Sequence, residues 1–142
     1  MRDNPYPAFK ILLVDDEEGW LRSLEMTLAL SGGINNVIRC NDSRKVRGIL
    51  DTENVGLVLL DLNMPHISGE TLLKEITEEY PEVAVIIISG MNQVEQAVAC
   101  MEMGAFYFFV KTVDEKRLIK GVRNAVAMIE LQRENQEIKS LF

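Results

Sequence analysis

Four apolar runs in this chain each end on a reactive polar residue. They are residues 10–14 before Asp15 and Asp16, residues 55–60 before Asp61, residues 83–88 before Ser89, and residues 106–110 before Lys111. Apolar residues on consecutive rather than alternate positions are typical of strands buried on both faces of a parallel sheet. The carboxyl ends of such strands meet at the edge where ligands bind, so we expect the polar side chains to share one pocket. Three acids, a hydroxyl and an ammonium are the groups of a divalent-metal and phosphoryl site.

Helical patterns alternate with these runs. A short further strand is predicted at 37–40, and helices are predicted at 17–31, from about 43 to 50, at 70–80, at 92–103 and from 113 or 114 onward. Successive parallel strands need right-handed crossovers, which place helices on both faces of the sheet. The sequence therefore predicts an α/β fold with a doubly wound, five-stranded parallel sheet and an extended C-terminal helix.

Length and composition limit the classes of function. At 142 residues the chain suits one domain. Its 22 acidic against 15 basic residues argue against direct nucleic-acid binding, which needs clustered lysines and arginines. Cys40 and Cys100 fit no disulfide framework or metal-type spacing, and no apolar stretch is long enough to cross a bilayer. Residues 1–8 lack the apolar core of a signal peptide, so we expect a disordered lead-in on a cytoplasmic protein.

Taken together, the polar strand ends resemble the receiver domain of two-component response regulators. The resemblance covers residues 9–125 and implies the flavodoxin-like strand order 2-1-3-4-5. Asp15 and Asp16 match the family's metal-binding acids, and Asp61 in Leu60-Asp61-Leu62-Asn63-Met64-Pro65 matches its phosphorylated aspartate. Ser89 matches the family's switch hydroxyl, and Lys111 matches the lysine of its phosphorylation site. Phe108 falls at the family's aromatic switch position.

The resemblance implies phosphoryl chemistry at Asp61. A sensor histidine kinase or a phosphotransfer protein would donate the phosphoryl group, and the domain would not be a turnover enzyme. Mg²⁺ would be held by Asp15, Asp16, Asp61 and the backbone carbonyl of Asn63, because it prefers oxygen ligands. Lys111 would pair with Asp61 before transfer and with a phosphoryl oxygen afterwards.

The same resemblance implies a conformational switch. Ser89 would move toward the new phosphoryl group, and Phe108 would fill the space behind it. This shift between two packings would alter the face formed by the fourth helix, the fifth strand and the fifth helix. We expect a homodimer through that face or through the C-terminal helix.

Each of these residues also has a purely structural interpretation. The alternatives are a helix cap for Asp16 or Glu17, a turn for Ser89, a solvated strand-end charge for Lys111, core packing for Phe108, and a surface position for His66. The spacing of the whole set favours the functional interpretation, since the structural ones would have to coincide at every strand end.

Two positions depart from the usual receiver pattern. Thr112 follows Lys111 where receivers commonly have a proline with a cis peptide, and a cis bond before another residue costs about 3 kcal/mol. The sequence leaves the shape of that loop open. Met91 stands two residues after Ser89, where a polar side chain in some relatives orients the hydrolytic water. Methionine cannot position water by hydrogen bonding, so we expect slow decay of the phosphorylated form.

The C-terminal segment, residues 126–142, is predicted to be a helical extension. Its apolar positions recur at spacings of three and four and would form a short coiled-coil seam: Met128, Leu131, Asn135, Ile138 and Phe142. A frayed, solvated helix is the alternative, because barely two heptads are present. Residues 131–135 are also similar to linkers before the ATPase domain of enhancer-binding, NtrC-like transcription activators. We therefore expect an output domain that is missing from this sequence.

Three classes of function compete. The first is a phosphorylation-switched receiver that regulates transcription, or a stand-alone receiver that acts as a phosphorelay or protein-interaction adaptor. The second is an aspartate-nucleophile phosphatase, but Asn63 stands where its second acid would be needed. The third is a flavodoxin-like cofactor binder, which lacks support because no Gly-rich or Ser/Thr-rich phosphate loop follows the first strand. The receiver is the interpretation that the motifs favour.

Overall fold

Five strands and five α-helices alternate in the computed structural model, which describes residues 4–90 and 93–142. The strands are β1 (Lys10–Val14), β2 (Val37–Cys40), β3 (Val55–Leu60), β4 (Ala84–Ser89) and β5 (Tyr107–Val110). The helices are α1 (Glu18–Gly32), α2 (Val46–Thr52), α3 (Gly69–Glu79), α4 (Val94–Glu102) and α5 (Glu115–Ser140). A single turn of 3-10 helix, Ser43–Lys45, precedes α2.

The strands form one parallel sheet in the order β2-β1-β3-β4-β5. This confirms the predicted fold class, including the strand order that the family resemblance implied. The order reverses direction beside β1, where β2 lies on one side and β3 on the other. In open α/β sheets that reversal opens the crevice used for ligand binding, at the carboxyl ends of the strands.

Side chains of successive strand residues pack on opposite faces of the sheet. Ile11 and Leu13 of β1 join the core beneath α1 and α5, whereas Leu12 and Val14 join the core beneath α2, α3 and α4. Both cores are apolar, which explains why the strand sequences are continuous apolar runs rather than alternating ones. The helices cover both faces, as predicted.

The predicted ends of the elements lie within three residues of the observed ones, except that the predicted start of the fourth helix, Asn92, lies outside the described residues. The largest difference is at α2, where Asp42 caps the short 3-10 helix by accepting a bond from Arg44 N–H at 3.0 Å, so the α-helix proper begins only at Val46. Ser68 and Asp114 likewise accept bonds from backbone N–H groups at the starts of α3 and α5. Such capping bonds satisfy donors that have no partner inside the helix.

The last helix begins on the core and continues beyond it. Its buried face ends at Ile129, and Leu131 and Ile138 are 58% and 49% exposed. Arg133 ties the first part of the extension to the body, because its guanidinium lies 4.9 Å from the Phe9 ring and donates to Asn54 Oδ1 at 3.0 Å. The division into residues 1–8, 9–125 and 126–142 stays a prediction.

Within the predicted lead-in, the backbone of Tyr6 bonds to the loop before β2. Tyr6 N–H donates to Asn35 Oδ1 at 2.7 Å, and Tyr6 O accepts from Asn35 N–H and Asn36 N–H. These bonds continue toward β1, where Asn36 O accepts from Ile11 N–H.

Among the described residues, no helix is long and apolar enough to span a membrane.

Candidate functional site

The hydrogen-bond ladder of the sheet carries three of the polar side chains to one edge. The bonds run from Asp15 N–H to Cys40 O, from Asp61 N–H to Val14 O, and from Lys111 N–H to Ser89 O, at 3.2, 3.0 and 2.8 Å. Each bond extends the strand pairing by one residue. The first residue after each of β1, β3 and β5 is therefore fixed at the carboxyl edge of the sheet, as the sequence predicted.

Three carboxylates converge at this edge. Asp15, Asp16 and Asp61 each place one oxygen within 4.8 Å of the other two. Asp15 and Asp61 are 1% and 5% exposed, whereas Asp16 is exposed. Burial and the negative charge of Asp15 together raise the pKa of Asp61 to about 6, against the opposing effect of Lys111. A cation bound among these three carboxylates would lower the electrostatic cost of placing like charges together, two of them in buried positions.

Lys111 supplies the positive charge of the site. Its Nζ lies 2.8 Å from Asp15 Oδ2, 3.8 Å from Glu17 Oε1 and 4.0 Å from Asp61 Oδ1. Burial lowers the pKa of Lys111, but the hydrogen bond and charge of Asp15, with the charges of Asp61 and Glu17, outweigh that effect and raise it overall. The amine therefore remains an ammonium and is not a solvated strand-end charge.

The ammonium of Lys111 also faces an aromatic ring. Its Nζ lies 4.8 Å from the centroid of the Trp20 ring, within the range of a cation–π interaction. Trp20 belongs to the first turn of α1 and is half-buried against the core. Helical spacing in the sequence carries no information about this contact, because Trp20 and Lys111 are 91 positions apart.

The helix-cap alternative for the acids finds no support in the structure. Glu17 occupies the N-cap position of α1 and makes no side-chain capping bond. Asp15 Oδ1 accepts a bond from Glu17 N–H at 2.9 Å, which leaves its second oxygen to Lys111. Asp15 thus bonds to the backbone just before α1 and also faces the pocket.

The two switch candidates occupy neighbouring strands. Ser89 is the last residue of β4 and is fully buried, and Phe108 in the middle of β5 is half-buried beside the core of α2, α3 and α4. In the strand register Phe108 lies opposite Ile87, two residues before Ser89. The structure thus shows Phe108 packing against the core, and its switch role stays a prediction.

The loop between β3 and α3 is held by Ser43, a residue of the short 3-10 helix before α2. Ser43 is 3% exposed, and its Oγ donates to Pro65 O at 2.8 Å and accepts from Ile67 N–H at 3.0 Å. Asn63 and His66 of this loop are exposed, as predicted for His66. No local sequence signal identified the contact, because Ser43 and the loop come from separate crossovers.

Gly69 allows α3 to begin directly against the phosphoacceptor candidate. A Cβ at this position would lie 2.2 Å from the carbonyl oxygen of Asp61, and Gly69 N–H donates to Leu62 O at 3.0 Å. A side chain there would displace the backbone that carries Asp61. Glycine at this position, eight residues after Asp61, therefore has a steric reason.

The two departures from the receiver pattern have different outcomes. The Lys111–Thr112 peptide bond is cis, so the chain takes that geometry without a proline. Met91 lies outside the described residues, and the prediction about it is untested.

Comparison with protein families decides the classification. A family model described as the response regulator receiver domain matches residues 11–123. The chain belongs to the response regulator receiver family. The matched receiver domain contains every site residue discussed above, and the predicted resemblance is confirmed.

Its similar proteins include regulators of the NtrC-like group. The receiver domain is 34% identical over 132 residues to a putative NtrX-like response regulator of Rickettsia felis, covering 92% of this chain and 27% of that protein. It is 32% identical over 140 residues to the C4-dicarboxylate transport transcriptional regulatory protein DctD of Pseudomonas aeruginosa, covering 96% of this chain and 30% of that protein. The chain thus spans less than a third of the length of these relatives.

Solved structures share the fold of this receiver domain. A response regulator receiver domain protein from Clostridium thermocellum superposes with a TM-score of 0.78 at 31% identity, covering 87% of this chain and 98% of that one. NtrX from Brucella abortus gives a TM-score of 0.81 at 29% identity, covering 92% of this chain and 30% of that one.

Proposed function

We propose that this receiver domain accepts a phosphoryl group on Asp61 from a sensor histidine kinase or a phosphotransfer protein. The observation that carries the proposal is the placement of the buried Asp61 carboxylate beside two other acids and 4.0 Å from the Lys111 ammonium. A phosphatase of similar topology is disfavoured, because Asn63, an amide, follows at the position of its second acid.

The chemistry is an in-line transfer between two anionic groups. An oxygen of Asp61 forms a bond to phosphorus as the bond from phosphorus to the donor histidine nitrogen breaks. The donor imidazole leaves with the electron pair of that bond and takes a proton from solvent. Lys111 attracts a phosphoryl oxygen, and Ser89 donates its hydroxyl to another. Each domain would accept one phosphoryl group and would hydrolyse the acyl phosphate slowly. The domain would therefore transmit a signal rather than turn over substrate.

The donor set suits Mg²⁺. Three carboxylate oxygens within 4.8 Å of one another are hard ligands. The pKa of Asp61 is raised by burial and by the charge of Asp15, and a bound cation would oppose both effects. Asp16 and Asp61 would bind the ion directly, Asp15 through a water molecule, and Asn63 through its backbone carbonyl. When bound, Mg²⁺ would neutralise the charge that develops on the phosphoryl oxygens. Asp61 is ionised at neutral pH and is therefore a nucleophile.

We propose that phosphorylation repacks Ser89 and Phe108 and so alters the face of α4, β5 and α5. That face already exposes apolar side chains on α4, where Val94, Val98 and Met101 are 73%, 49% and 45% exposed to solvent. These positions share one side of the helix at spacings of four and three. A homodimer through this face, or through the exposed apolar residues of the α5 extension, is the output that we propose.

The whole protein would be a longer, cytoplasmic regulator of transcription. In this proposal residues 9–125 form the receiver, residues 126–142 form a helical linker, and an output domain follows. The support is the similarity to DctD, a transcriptional regulatory protein, and to NtrX-like regulators. A stand-alone receiver that serves as a phosphorelay or adaptor is the second candidate, supported by the match that covers 98% of the response regulator receiver domain protein from Clostridium thermocellum.

The test combines modification with association. The protein is incubated with Mg²⁺ and acetyl phosphate or beryllofluoride, and intact mass and sedimentation velocity are measured, with Asp61→Asn as the control. We expect acetyl phosphate to add the mass of one phosphoryl group only when Mg²⁺ is present, and the association state to change at the same time. Both changes should occur in the wild type and not in Asp61→Asn. Modification without a change in association would remove the dimer proposal, and no modification would remove the phosphoacceptor proposal.

A further inference from the structure

The aromatic ring beside Lys111 has no part in the chemistry described so far. We propose that Trp20 is a positioning residue that holds the Lys111 ammonium at the phosphoryl site, an inference that rests on the proposed function. The chain contains a single tryptophan, and α1 places it next to the strand end that carries Asp15. Trp20, Asp15 and Asp61 line one small gap in the core beneath the site.

The ammonium has two kinds of neighbour, with different consequences for its charge. Asp15, Glu17 and Asp61 attract it as ions at 2.8, 3.8 and 4.0 Å, and each of them offsets its positive charge. The Trp20 ring, 4.8 Å away, attracts the ammonium through its quadrupole and carries no net charge. The ring therefore restrains the position of Lys111 and leaves the charge available to a phosphoryl oxygen.

Burial strengthens this contact. The Lys111 side chain is only 15% exposed, so little water competes for the ammonium. Lysine has a flexible four-carbon stem, and a stem without a lateral contact would let the ammonium move toward Glu17, whose side chain is 71% exposed. Trp20 stands in the first turn of α1, three residues after Glu17, and its ring limits that movement.

The first measurement needs neither metal nor phosphoryl donor. Protons above an aromatic ring experience its ring current, so the Lys111 ε-methylene protons should resonate upfield of those of the other lysines. The signal is assigned with Lys111→Arg. It should return to the ordinary lysine position in Trp20→Leu and remain displaced in Trp20→Phe. An ordinary Lys111 shift in the wild type would overturn the contact.

The second measurement tests the consequence for transfer. We expect the phosphorylation rate with acetyl phosphate at saturating Mg²⁺ to fall roughly 3- to 10-fold in Trp20→Leu, as loss of a partly buried cation–π contact implies. Trp20→Phe should retain a rate within about twofold of the wild type, because phenylalanine keeps a ring face. The matched control is Lys74→Met, an exposed lysine on α3 whose loss should leave both readouts unchanged.

The outcomes separate this inference from the proposed function. An unchanged rate in Trp20→Leu, with normal modification of the wild type, would refute the role of Trp20 and leave the phosphoacceptor proposal intact. Equal slowing in Trp20→Phe and Trp20→Leu would also refute it, since packing rather than the ring face would be the cause. A wild type that is never modified would refute the phosphoacceptor proposal, while the ring-current shift would still decide whether the contact exists.

Discussion

Lys111 makes its close ion pair with Asp15 and not with Asp61. The Nζ atom lies 2.8 Å from Asp15 Oδ2, whereas Asp61 Oδ1 is 4.0 Å away. The sequence predicted Asp61 as the partner before transfer. Asp15 is the more buried acid and its other oxygen is fixed by Glu17 N–H, so it presents one oxygen to the ammonium in a set direction. Asp61 is thus left with incomplete charge compensation.

This incomplete compensation predicts a pH-dependent gain in stability for Asp61→Asn. The pKa of Asp61 is about 6 in the folded protein and 3.8 ordinarily, so the folded state binds the extra proton between these values. Ionised Asp61 therefore destabilises the fold progressively from about pH 4 to pH 6 and fully above it. Without divalent cations, Asp61→Asn should be more stable by about 2 to 3 kcal/mol at pH 7.5.

The measurement is urea unfolding of wild type and Asp61→Asn at pH 4, 5, 6 and 7.5. The difference should grow with pH and then level off. Glu134→Gln, at an exposed position of α5, serves as the control for a simple change in net charge. A difference that is constant over this range would contradict the raised pKa.

Mg²⁺ should stabilise the folded domain in the absence of phosphoryl donor. A ligand that binds only the folded state adds about 1.4 kcal/mol when present at ten times its Kd. The expected thermal shift should be much smaller in Asp16→Asn, which loses a proposed ligand at an exposed position without opening the core. Sodium chloride at the same ionic strength as the Mg²⁺ sample serves as the control. Equal shifts in wild type and Asp16→Asn would argue against the proposed ligand set.

Ser43→Ala should loosen the loop after β3. The substitution removes the bond to Pro65 O and leaves Ile67 N–H without its acceptor, and losing such a buried partner costs about 1 to 3 kcal/mol. Hydrogen exchange of the Ile67 amide should accelerate more than exchange in β1. Ser23→Ala, at an exposed position on α1, is the control. Unchanged exchange at Ile67 would contradict the restraint.

The residue two positions after Ser89 should set the lifetime of the phosphorylated form. Met91 offers no strong hydrogen bond to orient water, so the wild type should lose its phosphoryl group more slowly than Met91→Glu or Met91→Asn. Timed dephosphorylation after removal of the donor measures the rates. Equal or faster decay of the wild type would refute the prediction.

The sequence predicted the fold and the converging acids well, because both follow from the strands themselves. Consecutive apolar residues predict buried parallel strands, and the residue after each strand must lie at the carboxyl edge, as Asp15, Asp61 and Lys111 do. The same patterns could not predict the contacts of Ser43 and Trp20. Those contacts join separate crossovers, and their geometry depends on how the helices and loops pack over the sheet.

Peptide mass spectrometry can locate the residue to which phosphorus is attached. The protein is phosphorylated with acetyl phosphate and Mg²⁺, the acyl phosphate is trapped by borohydride reduction, and the reduced residue is located by peptide mass spectrometry. We expect reduction at Asp61 alone in the wild type, and none in Asp61→Asn. Reduction at Asp15 or Asp16 in the wild type, or undiminished labelling of Asp61→Asn, would contradict it.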